Sequence, residues 1–181
     1  MQDLWVFGYG SLMWRPGFEF EEAVPALLNG AHRSLCIYSW VHRGTETRPG
    51  LVLGLDRGGA CRGMAFRVAH RRRDEVVAYL RAREQATMVY VEAHRRVRLA
   101  GGPAEPVTAL TYLVDRAHPQ YAGVLSLERQ LELVRGGVGQ SGANPDYVLN
   151  TVDHLSELGI RDRGLEELGR HLRQGVPAAA G

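Results

Sequence analysis

Strand-type and helix-type patterns occupy different parts of this chain, and that segregation limits its fold more than any other feature. Short apolar or alternating runs fill the first two thirds: Leu4–Gly8, residues 31–38, 51–56 and 61–68, Tyr90–Leu99, and residues 107–113. In His94-Arg95-Arg96-Val97-Arg98-Leu99 polar and apolar residues alternate, as in a strand with one wet face, so an antiparallel or mixed sheet is expected. Helical periodicity begins with residues 74–84 and dominates the last third. Residues 126–135 form one such stretch, closed by Gly136-Gly137. Asn144-Pro145 reads as an N-cap followed by proline at the first helical position, opening a helix that stops at Gly159. Leu165, Leu168 and Leu172 mark a final amphipathic helix. Strands first and helices later argue for an α+β fold over a doubly wound α/β one.

At 181 residues and 45% hydrophobic content, the chain fits a single domain over residues 1–174, followed by a tail, residues 175–181, that frays. A net charge of +2 implies no strong pull toward nucleic acid or a membrane surface. All 22 basic residues are arginine, and Arg71-Arg72-Arg73 reads as a solvated loop or helix entry. Cys36 and Cys61 lie far apart inside apolar runs, as buried structural thiols do. No secretory leader and no apolar stretch of about 20 residues is evident, so a cytoplasmic location is expected. The seven histidines lack metal-ligand spacing, so no metal is expected; His42 is kept as a pocket candidate or a polar loop residue.

Gly8-Tyr9-Gly10-Ser11 follows the first strand directly. Glycines there allow positive φ and close ligand approach, and successive N–H groups in such a turn suit a carboxylate or oxyanion. An ordinary glycine turn fits the same residues. A dinucleotide site does not: Met13 stands where the third glycine of G-x-G-x-x-G belongs, and Pro16-Gly17 forbids a long following helix. Gly139-Gln140-Ser141-Gly142-Ala143 approximates a nucleophile elbow but lacks the preceding strand and the immediate helix, so it reads as a loop feeding a helix N-terminus.

Glu84 is the most informative single residue. It follows Leu80 by four positions and Val77 by seven, so it falls on the apolar face of its helix. A carboxylate turned toward a core at a helix C-terminus has its pKa raised, toward a value useful for proton transfer. The same position also fits a helix-end glutamate paired with Arg81 or Arg83.

These segments together resemble the ChaC-like family of γ-glutamylcyclotransferases, which cleave glutathione. Residues 5–18, W-V-F-G-Y-G-S-L-M-W-R-P-G-F, are similar to that family's N-terminal motif. His42-Arg43-Gly44 with Pro49-Gly50-Leu51 resembles its second stretch, Arg83-Glu84 with Tyr90 its R-E pair and following tyrosine, and G-Q-S-G-A-N-P-D-Y-V-L its G-x-S-G-x-N-x-x-Y segment. The resemblance spans roughly residues 4–158. It implies a compact mixed or antiparallel β-barrel with flanking helices, no cofactor and a γ-glutamyl small molecule as substrate. It implies that the substrate's α-amine attacks its own side-chain carbonyl, with Glu84 as general acid and base. It further implies that the backbone of Tyr9, Gly10, Ser11 and Leu12 holds the substrate, helped by Tyr147 and Arg43.

Overall fold

The computed structural model of the chain describes residues 2–175. The tail expected to fray lies outside the described residues, except for Gly175. Two compact units are present, one built from residues up to Ser34 and from Leu53–Tyr121, the other from Leu35–Val52 and from Ala122 onward. No described helix is long and apolar enough to cross a membrane.

The first unit holds a barrel. Its strands are β1 (Leu4–Gly8), β2 (Glu22–Ser39), β3 (Gly50–Val68), β4 (Tyr90–Leu99) and β5 (Val107–Val114), with helix α1 (Arg73–Glu84) between β3 and β4. They close in the order β1-β3-β2-β4-β5. β1 runs antiparallel to β3, with Leu4 opposite Val68 and Gly8 opposite Met64. β4 and β5 pair antiparallel from Tyr90 opposite Val114 to Val97 opposite Val107. Closure comes from a parallel pairing of β1 with β5, Trp5 opposite Ala109 and Val6 opposite Leu110. The sheet is therefore mixed, as the barrel expectation required. The two predicted runs 51–56 and 61–68 are one strand, and Gly58 and Gly59 between them take φ of 98° and 71°. Side chains rarely adopt that left-handed region, so glycine suits both positions.

Period-two alternation divides the core of this unit. Phe7, Leu28, Leu55, Ala65, Val97 and Ala109 form an inner cluster. Their strand neighbours Val6, Phe66 and Leu110 point the other way, joining Leu12, Tyr112 and the buried face of α1, Val76 and Leu80. Each large apolar side chain buried this way contributes about 1.5–3 kcal/mol. The inner cluster closes the barrel; the outer one seats α1 and the turn after β1 on its wall.

The second unit contains α2 (Leu127–Gly136), the short strands β6 (Val138–Gly139) and β7 (Gly142–Ala143), α3 (Asn144–Glu157) and α4 (Arg163–Gln174). Ser126 caps α2, its hydroxyl accepting from Arg129 N. Leu165, Leu168 and Leu172 are buried, as the periodicity of α4 predicts. One local expectation fails. Asn144 is not the N-cap of α3; Ala143 is, and the Asn144 side chain instead binds the backbone of Leu51. The Asn-Pro signal was genuine for a helix start, but a tertiary partner claims the amide.

Candidate active site

α1 delivers Glu84. Asp74 and Glu75 in its first turn favour the helix dipole, Val76 and Leu80 anchor it to the barrel wall, and Glu84 is its last residue. The Glu84 side chain is only 20% exposed. Burial raises its carboxyl above the usual glutamate range, and the Arg83 charge, with Nε 3.4 Å from Oε1, works against that rise.

A second carboxylate gives the contrast. Glu92 of β4 is 22% exposed, nearly the same as Glu84. Yet its pKa is lowered, first by the hydrogen bonds from Arg81, which grips it through Nε at 2.8 Å and Nη2 at 3.0 Å. Tyr112 of β5 also donates to Glu92, at 3.3 Å. The Tyr112 hydroxyl is itself pushed far up, first by burial, then by Glu92 and, more weakly, by Glu84. Donors from Arg81 and Tyr112 thus hold the Glu92 carboxyl below the usual range, while burial, opposed by Arg83 alone, holds that of Glu84 above it. Their surroundings move the two carboxyl groups in opposite directions. The alternation of β4 gave no sign of this partner group, because Glu92 reads as an ordinary outward residue.

The turn after β1 lies on the same unit. Residues Ser11–Met13 form one turn of 3-10 helix, closed by Met13 N–H on the Gly10 carbonyl at 2.9 Å and Arg15 N–H on the Ser11 carbonyl at 2.8 Å. Among the described residues, the amides of Gly10, Ser11 and Leu12 donate to no backbone carbonyl outside regular elements. The Leu12 side chain is buried in the outer cluster, so only its backbone can serve a ligand. Tyr9 packs its ring against the inner cluster. Gly8 and Gly10 do not use the positive φ that glycine permits; Gly10 has φ −129°. A Cβ on Gly8 would crowd Leu12 Cβ at 3.2 Å, which is the tighter demand.

Arg83 joins turn and helix. Its Nη2 donates to Ser11 Oγ at 3.0 Å, and its Nη1 to the carbonyls of Arg15 at 2.7 Å and Pro16 at 3.1 Å. Tyr79, one helical turn earlier, lies 3.2 Å from Nη1. Sequence reasoning named Arg83 only as a neighbour of Glu84; the Tyr79-x-x-x-Arg83 spacing was the available signal.

Arg43 and Tyr147 belong to the second unit, where the Arg43 guanidinium lies 5.5 Å from the Tyr147 ring centre and Nη1 donates to the Ala143 carbonyl. His42 Nδ1 is 2.8 Å from Ser141 Oγ, and both residues are exposed. Ser141 sits in the hairpin turn between β6 and β7, which is not the strand-to-helix geometry of a nucleophile elbow. Gly44 and Gly50 are in backbone contact with each other, so a side chain on Gly44 would overlap Gly50 N.

The chain belongs to the ChaC-like protein family, whose model matches residues 4–175. It is 33% identical over 165 residues to the glutathione-specific γ-glutamylcyclotransferase of Escherichia coli (strain K12), covering 91% of this chain and 71% of that one. It is 32% identical to glutathione-specific γ-glutamylcyclotransferase 1 of Mus musculus, covering 92% and 77%. A yeast γ-glutamylcyclotransferase described as specific to glutathione has the same fold, with a TM-score of 0.85 at 20% identity over 96% of this chain and 97% of the other.

Proposed function

We propose that this chain is a γ-glutamylcyclotransferase that cleaves glutathione into 5-oxoproline and Cys-Gly. The observation that carries the reading is Glu84: a largely buried carboxylate with a raised pKa, tied through Arg83 to the turn that follows β1. The glutathione-specific relatives support the substrate.

The nucleophile is the substrate's own α-amine. Well-oriented intramolecular attack is worth about 7–11 kcal/mol, so holding the glutamyl chain folded back on itself is the main task. A free α-amine has a pKa near 8 and needs a base at neutral pH. Glu84 takes its proton as the amine nitrogen bonds to the side-chain carbonyl carbon. Collapse of the tetrahedral intermediate breaks the original amide bond, and Glu84 returns the proton to the departing nitrogen. The turn amides of Gly10, Ser11 and Leu12 supply donors for the substrate carboxylate or for the oxyanion. One lost oxyanion donor costs about 3–4 kcal/mol. Arg43 and Tyr147 carry a substrate-binding assignment from the family motifs, tested by the KM of Arg43→Met and Tyr147→Phe.

The deciding experiment incubates purified protein separately with glutathione, γ-Glu-Ala and γ-glutamyl-lysine and measures 5-oxoproline from each. Release from glutathione alone supports the full reading. Release only from the other two moves the substrate, and release from none removes the enzyme assignment.

A further inference from the structure

We propose that Arg83 is the positioning residue of this site, one guanidinium setting the separation between the glycine turn and the Glu84 carboxylate. Its kinetic consequences rest on the cyclotransferase reading; its structural consequence does not.

The contacts are divided in a way that only a planar, five-donor group allows. Nη2 holds Ser11 Oγ near the start of the turn, and Nη1 holds the Arg15 and Pro16 carbonyls at its far end. Residues 11–16 are thereby closed into an arc around a single side chain. Nε, on the remaining edge, faces Glu84 Oε1 at 3.4 Å. Tyr79 flanks the guanidinium, and Gly17, just past the arc, lets the Tyr79 hydroxyl in, because a Cβ there would overlap it. Arg83 is 21% exposed, so these bonds are only partly open to competition from water. A lysine ammonium is a point donor and cannot span Ser11 Oγ, two carbonyls and a carboxylate at once.

Two effects follow for catalysis. The turn amides stand at a fixed distance from the proton-transfer group, and a misplacement of about 1 Å in such an arrangement costs roughly 100-fold in rate. Arg83 also places the nearest positive charge beside Glu84. Tyr112 of β5 also couples weakly to that carboxylate, and Glu92 of β4, which couples to Tyr112, is paired with Arg81. Removing the Arg83 charge leaves burial unopposed.

The test compares Arg83→Met, Arg83→Lys and the milder Ser11→Ala with wild type. Arg83→Met is expected to lower kcat for glutathione by about 10- to 100-fold and to move the acid limb of the kcat–pH profile to higher pH. Arg83→Lys keeps the charge, so its acid limb stays near wild type while kcat still falls. Ser11→Ala removes one contact of the set and gives an intermediate loss, which keeps the proposal testable if Arg83→Met fails to fold. Without any substrate, amide hydrogen exchange at Met13, Trp14 and Arg15, whose N–H groups close the turn, rises at least about tenfold in both Arg83 variants, while the interior of α1 is unchanged. A folded Arg83→Met with wild-type kcat and an unmoved acid limb, or with unchanged exchange at Met13, Trp14 and Arg15, overturns the proposal. A wild-type protein inert toward glutathione overturns the proposed function instead, and the exchange measurement then decides the role of Arg83 alone.

Discussion

Asn144 and Leu51 exchange two hydrogen bonds of 2.8 Å, the Leu51 N–H donating to Oδ1 and Nδ2 donating to the Leu51 carbonyl. A fully buried side-chain amide thus plays the part of a neighbouring peptide group for the first residues of β3. Asn144→Ala is expected to strand both backbone groups and to cost about 2–4 kcal/mol, read from the urea midpoint. Asn144→Asp should lose as much, because it sets a carboxylate against the Leu51 carbonyl. A change below about 0.5 kcal/mol in Asn144→Ala would mean that the pair is not a structural element.

Glu84→Gln separates activity from stability. Turnover of glutathione should fall by at least about 100-fold, the scale of a lost general base. Stability should move the opposite way. Burial raises the folded-state pKa of Glu84, so the folded chain binds its proton more tightly than the unfolded chain does. From the ordinary glutamate value, about 4.3, up through the raised value, stability therefore falls as pH rises. Glutamine removes this penalty. Melting curves should show Glu84→Gln above wild type at pH 8, with the gap closing by pH 4. Equal melting temperatures at pH 8 would contradict the burial of a charge at this position.

Two glycines near the turn should behave differently. Gly10 has negative φ, and a Cβ there meets Leu53 Cδ1 at an ordinary 3.7 Å, so Gly10→Ala should fold like wild type. Its kcat/KM is expected to drop about tenfold or more if a ligand approaches that backbone, a loss of about 1.4 kcal/mol. Gly17 has φ 76° and a Cβ there would overlap the Tyr79 hydroxyl, so Gly17→Ala should cost stability first, about 1–3 kcal/mol. An unaltered kcat/KM in Gly10→Ala would detach the turn from the substrate.

Asp56 predicts acid sensitivity. It is buried, and burial works to raise its pKa, but hydrogen bonds from Arg116 Nε at 2.8 Å, the Tyr121 hydroxyl at 2.7 Å and Arg57 N–H at 2.8 Å outweigh that and lower it. A lowered carboxylate contributes stability that is fully present above the unfolded value, about pH 4, and is lost as pH falls through the folded value. Asp56→Asn should destabilise the protein at pH 7 by on the order of 2 kcal/mol and flatten the decline on acidification. A variant whose acid transition matches wild type would show that another carboxylate controls it.

Legibility in the sequence followed the range of the interactions. Val76, Leu80 and Glu84 share one helix face, so their common orientation was readable from spacing alone. Ser11 and Arg83 are 72 positions apart, and nothing local announces their bond. The parallel pairing of Trp5 with Ala109, which closes the barrel, is equally silent, since alternation reports a strand and its wet face but not its neighbours. Asn144 shows the opposite failure, a strong local signal overruled by a distant partner. Glu84 was legible as an unusual carboxylate, whereas the reason Glu92 is not its equivalent lies in Arg81 and Tyr112, contributed by two other elements.

The two cysteines of the chain, Cys36 and Cys61, form no disulfide and are both shielded from solvent. A protein proposed to process a thiol tripeptide thus offers no surface sulfur for mixed-disulfide formation with the oxidised form of that tripeptide. Thiol–disulfide exchange needs an accessible thiolate. The enzyme itself should accordingly stay unmodified, its turnover unchanged after incubation with the oxidised tripeptide and removal of the excess.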